Sequence, residues 1–483
     1  MLVAFNQTKT CRMAIRALAT SGQAPGYQQE EALRGLHKRT GSVGARLSLI
    51  STVATSALGG VLGGSAAAVL VVGVTEMIKS MLTVVSRQDT WVLILAPLLG
   101  LGLSVLLLYG FGLSSETHTS EQPRWAAVWR TFPPHAVRSD LTGDIVEFAG
   151  KEERFPWRLA PIRLVAIYAT VGLGAAMGTE KPAAYLGVAT GAALGDRWWR
   201  WLMRPAAVGG GAAGVAALMG IPLVGTAFIL ELERRHHAPL SVERVTAALV
   251  GGFVGWLWHI ALGVDLIRLV VPKEPPHNFQ QALIAALFIG LLSGLITSIA
   301  GTAIYRAKFW QARPIVRFAI GGLVLGVAAL ILSIIAAPSA AVGPGSGAIA
   351  WVESTRASAL TVLAVTLLRA VATTASSAVG GCGGLFVPFL AIGDLGGRVF
   401  APSLELPADL AGAAGAASGI SGGYHLPFTA VALVLGQGGP CLAMLTCVAT
   451  VIVAAYAGKG TAFLLDRILA RWPYPVESDS YTF

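Results

Sequence analysis

The stretch Val171-Gly-Leu-Gly-Ala-Ala-Met-Gly-Thr-Glu-Lys-Pro182 places an acidic residue between an apolar run and a second run rich in glycine and alanine. A carboxylate at membrane depth costs roughly 2.5 kcal/mol or more, so such residues usually mark the path of an ion or a proton. The residues around Glu180 are small, and Pro182 stands where a helix can begin. A helix that begins inside the membrane with an acid at its mouth is one way to build an ion gate.

The composition of the whole chain is that of a membrane protein. Of the 483 residues, 54% are hydrophobic, only 12% are charged, and 58 are glycine, far above the usage of soluble proteins. Uncharged runs long enough to span a bilayer include Leu47–Thr75 and Trp91–Gly112. Further apolar runs, several with Gly-Gly or Pro breaks, lie near 164–179, 246–264, 282–304, 318–352, 371–392 and 411–453. The sequence predicts an all-α polytopic membrane protein and argues against a soluble enzyme with one anchor.

The charge is concentrated at the N-terminus. The formal net charge is +10, and residues 1–46 carry seven Lys or Arg against only Glu30 and Glu31. By the positive-inside rule this end is expected in the cytoplasm. The segment Tyr27–Lys38 could form an amphipathic helix on the membrane surface. We favour a lipid-facing role for this basic segment over a nucleic-acid arm, and no nucleic-acid partner is expected.

No pattern in the sequence indicates a metal site, a cofactor or an enzyme. The cysteines show no ligand spacing with one another or with histidine, so they are interpreted as small buried apolar residues and no disulfide is predicted. They are Cys11, Cys382, Cys441 and Cys447. The eight histidines are scattered, and the sequence contains no nucleotide-binding loop, nucleophile elbow or zinc motif. We therefore expect no cofactor, no metal and no enzymatic activity.

The chain contains an internal repeat of interrupted apolar segments. Pro182 lies 40 positions before Pro222, and Pro388 lies 39 positions before Pro427. In both halves a Gly/Ala-rich run separates the two prolines, and an aliphatic run follows the second one. Such paired breaks predict an inverted-repeat transporter with its site near the midplane. A helix that starts there directs free backbone N–H groups inward, and these groups and the helix dipole favour an anion.

These motifs resemble those of the CLC chloride channels and chloride/proton antiporters, over roughly residues 45–470. The Gly-x-Glu-Gly-Pro motif of that family is matched by Gly178–Pro182, and its Gly-Gly-x-Phe-x-Pro motif by Gly383–Pro388. Its two Pro-Leu-x-Gly helix starts are matched by Pro222–Gly225 and Pro427–Ala430. The resemblance implies the CLC-type fold, an inverted repeat of two halves with broken, tilted helices.

The resemblance also implies a domain organisation and an assembly. We expect a basic cytoplasmic segment with a possible surface helix (1–45), a first membrane repeat (46–238), a second membrane repeat (239–470) and a short tail (471–483) without the nucleotide-sensing modules of many eukaryotic relatives. The expected assembly is a homodimer with one anion pathway in each subunit. The expected location is the bacterial inner membrane, with the N-terminus in the cytoplasm.

The site that the resemblance implies binds chloride through helix N-termini, backbone amides and hydroxyls. Glu180 would be the external gate: ionised, it competes with chloride for the outer site, and protonated, it swings away. The amides of Leu385 and Phe386 would line the central site, and Gly178 and Gly384 belong to the same motifs.

The pore serine of the family has a weaker counterpart. Its Gly-Ser-Gly-Ile-Pro motif is best matched by Arg138–Thr142, which assigns the pore serine to Ser139. Ser114 and Ser115 are the alternatives. The chain after this segment, Trp157–Arg163, looks like the next helix start of the family, reached without a gap.

Two positions depart from the family pattern and bear on protons. Family antiporters have a second inner acid where this chain has Leu232, so a proton path would have to use Glu231, Glu233 or water. The central tyrosine of the family aligns with Ala462, and the neighbouring Phe463 also lacks a hydroxyl. Leucine cannot carry a proton, and loss of the hydroxyl loosens anion binding between the gates. The sequence therefore predicts weak, channel-like proton coupling.

Lys181 replaces a glycine directly after the gate acid. It could hold Glu180 ionised or draw anions to the mouth, or it could extend to the outer surface as interfacial lysines do. The predicted function is passive or proton-linked transport of chloride or a similar anion. The alternatives are a relative selective for fluoride or another anion, which the degenerate serine motif suggests, and a non-conducting membrane scaffold.

Overall fold

The computed structural model describes residues 27–116, 141–151, 155–235, 238–263, 272–308, 314–438, 441 and 444–470. Side chains are described from Ser48 onward, except at 109–116, 147, 149–151, 235, 308 and 470. These residues form 17 α-helices, and the β-structure among them is a single isolated bridge. The helices are α1 (Tyr27–Ser86), α2 (Thr90–Glu116), α3 (Leu141–Lys151), α4 (Ala160–Ile167), α5 (Glu180–Arg197), α6 (Met203–Met219), α7 (Pro222–Arg235), α8 (Val242–Leu262), α9 (Phe279–Lys308), α10 (Pro314–Ile335), α11 (Pro338–Ala341), α12 (Ser346–Ser354), α13 (Ala359–Val379), α14 (Phe386–Phe400), α15 (Ala408–Tyr424), α16 (Pro427–Gly436) and α17 (Leu445–Ala470).

The chain divides into two compact units, one that ends at Ser56 and one that begins at Ala57. In the first unit, the segment Tyr27–Lys38 is the start of α1, so the helix predicted there is present as part of a longer one. Its position on a membrane surface stays a prediction. The predicted boundary between residues 45 and 46 falls inside this same helix.

Eight helices of the described chain are long and apolar enough to cross a membrane. They cover Ser48–Ser86, Thr90–Leu108, Arg200–Met219, Val242–Leu262, Phe279–Ala307, Pro314–Ile335, Ala359–Val379 and Leu445–Leu469. The chain is therefore a multi-pass integral membrane protein, and the all-α class predicted from its composition is confirmed.

Several predicted apolar runs are not single rods. The run 318–352 is divided where α10 ends at Ile335 and α11 begins at Pro338. The run 371–392 is interrupted after α13 by Gly380, whose φ of 106° lies in the region that favours glycine. The run 411–453 is divided by Pro427, the first residue of α16. The interruptions fall at glycines and prolines, as the sequence indicates.

The two halves repeat one packing unit. In the first half α5 packs on α6, and α6 packs on α7 and α8; in the second half α14 packs on α15, and α15 packs on α16 and α17. Pro222 and Pro427 begin the corresponding helices α7 and α16. On this packing we place α8 with the first half, although the boundary predicted from the sequence precedes it. Half-helices related in this way place their N-termini inside the protein, where the site can form.

Glycine permits the closest helix contacts in both halves. A Cβ atom on Gly187 of α5 would collide with the carbonyl oxygen of Gly210 in α6. A Cβ atom on Gly393 of α14 would collide in the same way with the carbonyl oxygen of Gly415 in α15. Small residues that let backbones approach are the usual basis of helix association in membranes.

The structure corrects the prediction that no disulfide is present. Cys441 and Cys447 are bonded to each other, and their Cα atoms are 6.1 Å apart. Cys441 precedes α17 and Cys447 lies in its first turn, so the entry into the helix brings the two side chains together. A separation of six positions carries no signal for this pairing in the sequence. Cys382 is free and buried, as predicted.

Candidate anion site at two broken helices

The two breaks that the sequence singles out meet in one place. The N–H of Gly178 donates to the carbonyl oxygen of Gly384 at 2.8 Å, and the N–H of Gly384 donates to the carbonyl oxygen of Gly178 at 2.7 Å. This antiparallel bridge joins segments that are about two hundred residues apart in the chain. The predicted residues Gly178 and Gly384 are thus brought together, one from each half.

Two helix N-termini converge on this bridge. Helix α5 begins at Glu180 and α14 begins at Phe386, and the N-cap residues Thr179 and Leu385 provide no side-chain hydrogen bond to either helix. The first N–H groups of a helix have no partner within it, and they carry the positive end of the helix dipole. An anion or a carboxylate at this point would satisfy them.

The carboxylate of Glu180 lies against the bridge. The residue is 1% exposed, and neither carboxylate oxygen forms a hydrogen bond of normal geometry with the described residues. A Cβ atom on Gly178 or Gly384 would collide with Oε2 of Glu180. The N–H groups that approach the carboxylate belong to Thr179, Val387 and Glu180 itself. A negative group therefore sits at the converging N-termini without being locked in place by strong hydrogen bonds.

Lys181 points into the protein. It is 6% exposed, and its Nζ atom lies 5.1 Å from the centre of the Tyr424 ring. A cation over the face of an aromatic ring is attracted by the ring quadrupole. Of the alternatives raised by the sequence, the structure favours a lysine that acts on Glu180 or on anions over one that reaches an outer surface.

An aromatic cluster surrounds the start of α14. The ring of Phe386 lies 5.9 Å from that of Phe228 in α7 and 6.1 Å from that of Tyr424 at the end of α15, both edge to face. Tyr424 also contacts Phe389, with ring centres 6.1 Å apart. Sequence reasoning missed Tyr424. The signal available was its position in Gly-Gly-Tyr-His, directly before the helix start at Pro427.

Each break is held by a hydroxyl group from the opposite half. The N–H of Ala176, before the first break, donates to Oγ of Ser376 in α13 at 3.2 Å. The N–H of Cys382, before the second break, donates to Oγ1 of Thr170 at 3.1 Å. All of these atoms are buried, so each bond is shielded from water and fixes the loop that leads to the site.

A buried arginine supports the first break through a second loop. Nη2 of Arg369 donates to the carbonyl oxygen of Gly343 at 2.6 Å, and the N–H of Gly343 donates to the carbonyl oxygen of Gly174 at 2.8 Å. Arg369 is completely buried in α13. The loop that carries Glu180 is therefore positioned by several elements of the second half.

The predicted hydroxyl-bearing and central residues have different outcomes. Ser139 lies outside the described residues, and Ser114 and Ser115 fall at the end of α2, where side chains are not described. Ala462 is buried in α17. Phe463 is 53% exposed and lies beneath the guanidinium of Arg467, so its ring faces away from the interior.

The two candidate proton acids occupy different environments. Both carboxylate oxygens of Glu231 receive bonds from the start of α16, from the N–H of Phe428 at 3.2 Å and from the N–H and Oγ1 of Thr429 at 2.9 and 2.7 Å. Glu231 is thus the N-terminal cap of a helix in the other half. Glu233 is 3% exposed and lies in the field of Arg244 and Arg204. Their part in a proton path stays a prediction.

The described residues contain no group of three or more His, Cys, Asp or Glu side chains that could hold a metal ion. The donors at the site are the backbone N–H groups at the starts of α5 and α14. Such donors suit a monovalent anion, because they bind it without a full opposite charge and so allow it to leave.

Sequence comparison finds a family match over most of the chain. The profile described as "Voltage gated chloride channel" matches residues 124–459. The H(+)/Cl(-) exchange transporter ClcA of Yersinia pestis is 25% identical over 342 residues, 65% of this chain and 69% of the relative. The protein of the same name from Salmonella typhi is 26% identical over 371 residues, 71% and 76% of the two chains.

Solved structures share the fold. A slow cyanobacterial Cl-/H+ antiporter superposes with a TM-score of 0.62 at 21% identity, covering 87% of this chain and 98% of the other. A CLC-type fluoride/proton antiporter gives the same TM-score and identity, with coverage of 86% and 97%. A eukaryotic CLC transporter gives a TM-score of 0.58 at 16% identity. At these identities the likeness concerns the fold alone.

Proposed function

Because the chain belongs to the voltage gated chloride channel family, we propose that it carries chloride or a similar small anion across a membrane, through one pathway per subunit closed by Glu180. The observation that supports this proposal is the position of the Glu180 carboxylate, which lies against the Gly178–Gly384 bridge where two helix N-termini converge. A carboxylate there occupies the place that the helix ends make attractive to an anion. The relatives matched by sequence are transporters, and no enzymatic activity is proposed.

In the proposed cycle the anion binds through the backbone. The N–H groups of Leu385 and Phe386, at the start of α14, and those at the start of α5 provide its partners. While Glu180 is ionised, its negative charge competes with the anion for these groups. Protonation removes the charge that attracts the Glu180 side chain to these N–H groups. The side chain then leaves, because both of its oxygens lack firm hydrogen bonds. The pathway is then open to chloride.

Anion flux is the direct test. The purified protein is reconstituted in liposomes, and efflux of chloride, nitrate and fluoride is compared with that from protein-free vesicles. We expect chloride efflux well above the background. Efflux of fluoride alone would establish the alternative of a fluoride-selective relative, and no efflux of any of the three anions would establish the scaffold and refute the proposal.

We further propose the assembly and orientation implied by the family. The expected state is a homodimer in the bacterial inner membrane with the basic N-terminus in the cytoplasm, since closed two-fold assembly is the commonest oligomer. Mass measurement in mild detergent should give twice the mass of the chain. Cys11, which lies before Tyr27, should react with an impermeant thiol reagent only after the membrane is opened, and Cys11→Ser should remove this reaction.

A further inference from the structure

A row of ionisable side chains leads from the gate to the edge of the protein. Glu180 is 1% exposed, Lys181 is 6% exposed and Tyr424 is 7% exposed. The side chain of His425 is 22% exposed and that of Asp466 is 59% exposed. Exposure therefore rises at every step, and all five side chains can gain or lose a proton.

The inner part of this row is a direct contact. The ammonium of Lys181 lies 5.1 Å from the centre of the Tyr424 ring, inside the cluster that Tyr424 forms with Phe228 and Phe386. The Tyr424 hydroxyl is completely buried. Lys181 and Glu180 both stand in the first turn of α5, so the cluster reaches from the helix that carries the gate to the end of α15.

The outer part depends on a turn in the backbone. His425 adopts a left-handed conformation with φ of 58°, and its N–H donates to the carbonyl oxygen of Ser421 at 3.0 Å, which ends α15. Its Nε2 atom lies 4.0 Å from Oδ2 of Asp466 in α17. Asp466 and Arg467 stand in the last turns of α17, where charged residues mark the boundary between membrane and water.

The acids that the sequence nominates lie on a different helix from this row. Glu231 accepts three hydrogen bonds as the cap of α16, which occupy both of its carboxylate oxygens. Glu233 is buried in the field of Arg244 and Arg204. Both are on α7, whereas Lys181, Tyr424 and His425 are on α5 and α15.

We propose that protons reach Glu180 along Asp466, His425, Tyr424 and Lys181, a route that rests on the proposed anion transport and replaces the inner acid that this chain lacks at Leu232. A proton enters on Nε2 of His425 and leaves from Nδ1. The Lys181 ammonium gives one proton, directly or through water, to the carboxylate of Glu180 and becomes an amine. The Tyr424 hydroxyl accepts the proton from His425 and releases its own, directly or through water, to this amine. One carboxylate is neutralised and every carrier is restored.

Both groups of the last step are buried, Glu180 at 1% and Lys181 at 6% exposed. Transfer of a proton from the ammonium to the carboxylate replaces two buried charges with two neutral groups, which lowers the cost of their burial. The weak coupling predicted from Leu232 and Ala462 left Glu231, Glu233 or water as the proton carriers, and the same measurement decides between that prediction and this route.

The experiment measures proton and chloride movement together in one set of vesicles. A chloride gradient is imposed on the reconstituted full chain, and proton uptake is recorded with a pH electrode while chloride is recorded with a second electrode. The variants are Tyr424→Phe, which keeps the ring, and His425→Asn, which keeps a residue tolerant of the left-handed conformation. Tyr456→Phe on the exposed face of α17 is the matched control, and Glu233→Gln tests the rival path.

We expect the proton-to-chloride ratio to fall at least about tenfold in Tyr424→Phe and His425→Asn, since a positioned proton carrier contributes that much or more. Chloride flux should persist in both, and the ratio should not change in Tyr456→Phe or Glu233→Gln. An unchanged ratio in the first two variants, a selective loss in Glu233→Gln, or chloride flux without proton movement in the parent would each overturn the route. Absence of chloride flux in the parent would instead refute the proposed function.

Discussion

The two breaks at the site share a backbone but differ in their side chains. Gly178–Pro182 in the first half and Gly384–Pro388 in the second each place a glycine in the bridge, begin a helix two residues later, and have proline at the third helical position. Each is braced by a hydroxyl of the opposite half. The first break carries Glu180 and Lys181, whereas the second carries only apolar side chains.

This difference separates two tasks. Both halves supply N–H groups and helix dipoles, which attract an anion without regard to side chains. Only the first break carries side chains that change charge. The symmetric backbone therefore suits binding, and the asymmetric side chains suit control of binding.

Filling the bridge from the second half should have the largest effect. In Gly384→Val the new Cβ atom would lie 2.6 Å from Oε2 of Glu180 and 3.1 Å from the N atom of Lys181, so the bridge must open. We expect anion flux to fall by on the order of a hundredfold, because displacements of about 1 Å at a site have effects of that size. Efflux from liposomes is the measurement.

The control for this substitution is Gly73→Val, where a Cβ atom meets nothing within 4 Å. Gly384→Ala serves as a milder variant, and the assembled state of each is checked by size-exclusion chromatography. Normal flux through a correctly assembled Gly384→Val protein would show that the bridge is not part of the pathway.

Removing the negative charge of Glu180 should abolish the dependence of anion flux on external pH, but not the flux itself. Glu180→Gln mimics the protonated form, so its anion flux should equal or exceed that of the parent. Parent flux should rise as the external pH falls, since the protonated fraction of a carboxyl changes about tenfold per pH unit above its pKa. Flux through the variant should be independent of external pH. If the flux through Glu180→Gln depends on external pH as it does in the parent, the gate is a different residue.

Two hydrogen bonds hold the breaks, one from the N–H of Ala176 to Ser376 and one from the N–H of Cys382 to Thr170. Loss of either bond should cost a similar free energy of unfolding, but the effects on anion flux should differ. Ser376→Ala and Thr170→Val each leave a buried N–H without its partner, which costs about 1–3 kcal/mol of unfolding free energy. Only Ser376→Ala loosens the break that carries Glu180, so only it should alter the dependence of flux on external pH. Thermal unfolding in detergent and liposome efflux measure the two effects.

Thr366→Val is the matched control for the braces, because its Oγ1 atom donates to the carbonyl oxygen of Val362 within its own helix at 2.7 Å. Loss of the Thr366 hydroxyl leaves no N–H group without a partner, so the unfolding temperature should change little. Equal shifts of the pH profile in Ser376→Ala and Thr170→Val would contradict the division of tasks between the halves.

The smallest expected effect concerns the cap of α16. Glu231→Gln removes the charge that the N-terminus of α16 attracts, and we expect a loss of about 1 kcal/mol in the free energy of unfolding, typical of a lost cap. The corresponding position in the second half is Gly436, so α7 has no equivalent partner. Glu76→Gln, which breaks an exposed pair with Lys79, should cost less. A loss of proton coupling without a loss of stability would return Glu231 to the proton path.

Much of the architecture could be predicted because it depends on local properties. Pro182, Pro388 and the glycines before them mark helix starts wherever they occur, since their effect lies in their own backbone. The alignment of Ala462 in α17 with the family tyrosine stays a prediction. The tyrosine that contacts Phe386 comes from α15.

The sequence by itself determined the membrane class, the repeated breaks and the acid at Glu180, because hydropathy, glycine and proline act through single residues and their neighbours. The tertiary structure alone decided that Gly178 bonds to Gly384, that Glu231 caps α16 and that Cys441 bonds to Cys447. The first two contacts join segments that are far apart in the chain. The disulfide depends on the direction in which the chain enters α17. Such contacts depend on the relative placement of whole helices, for which no single residue carries a signal.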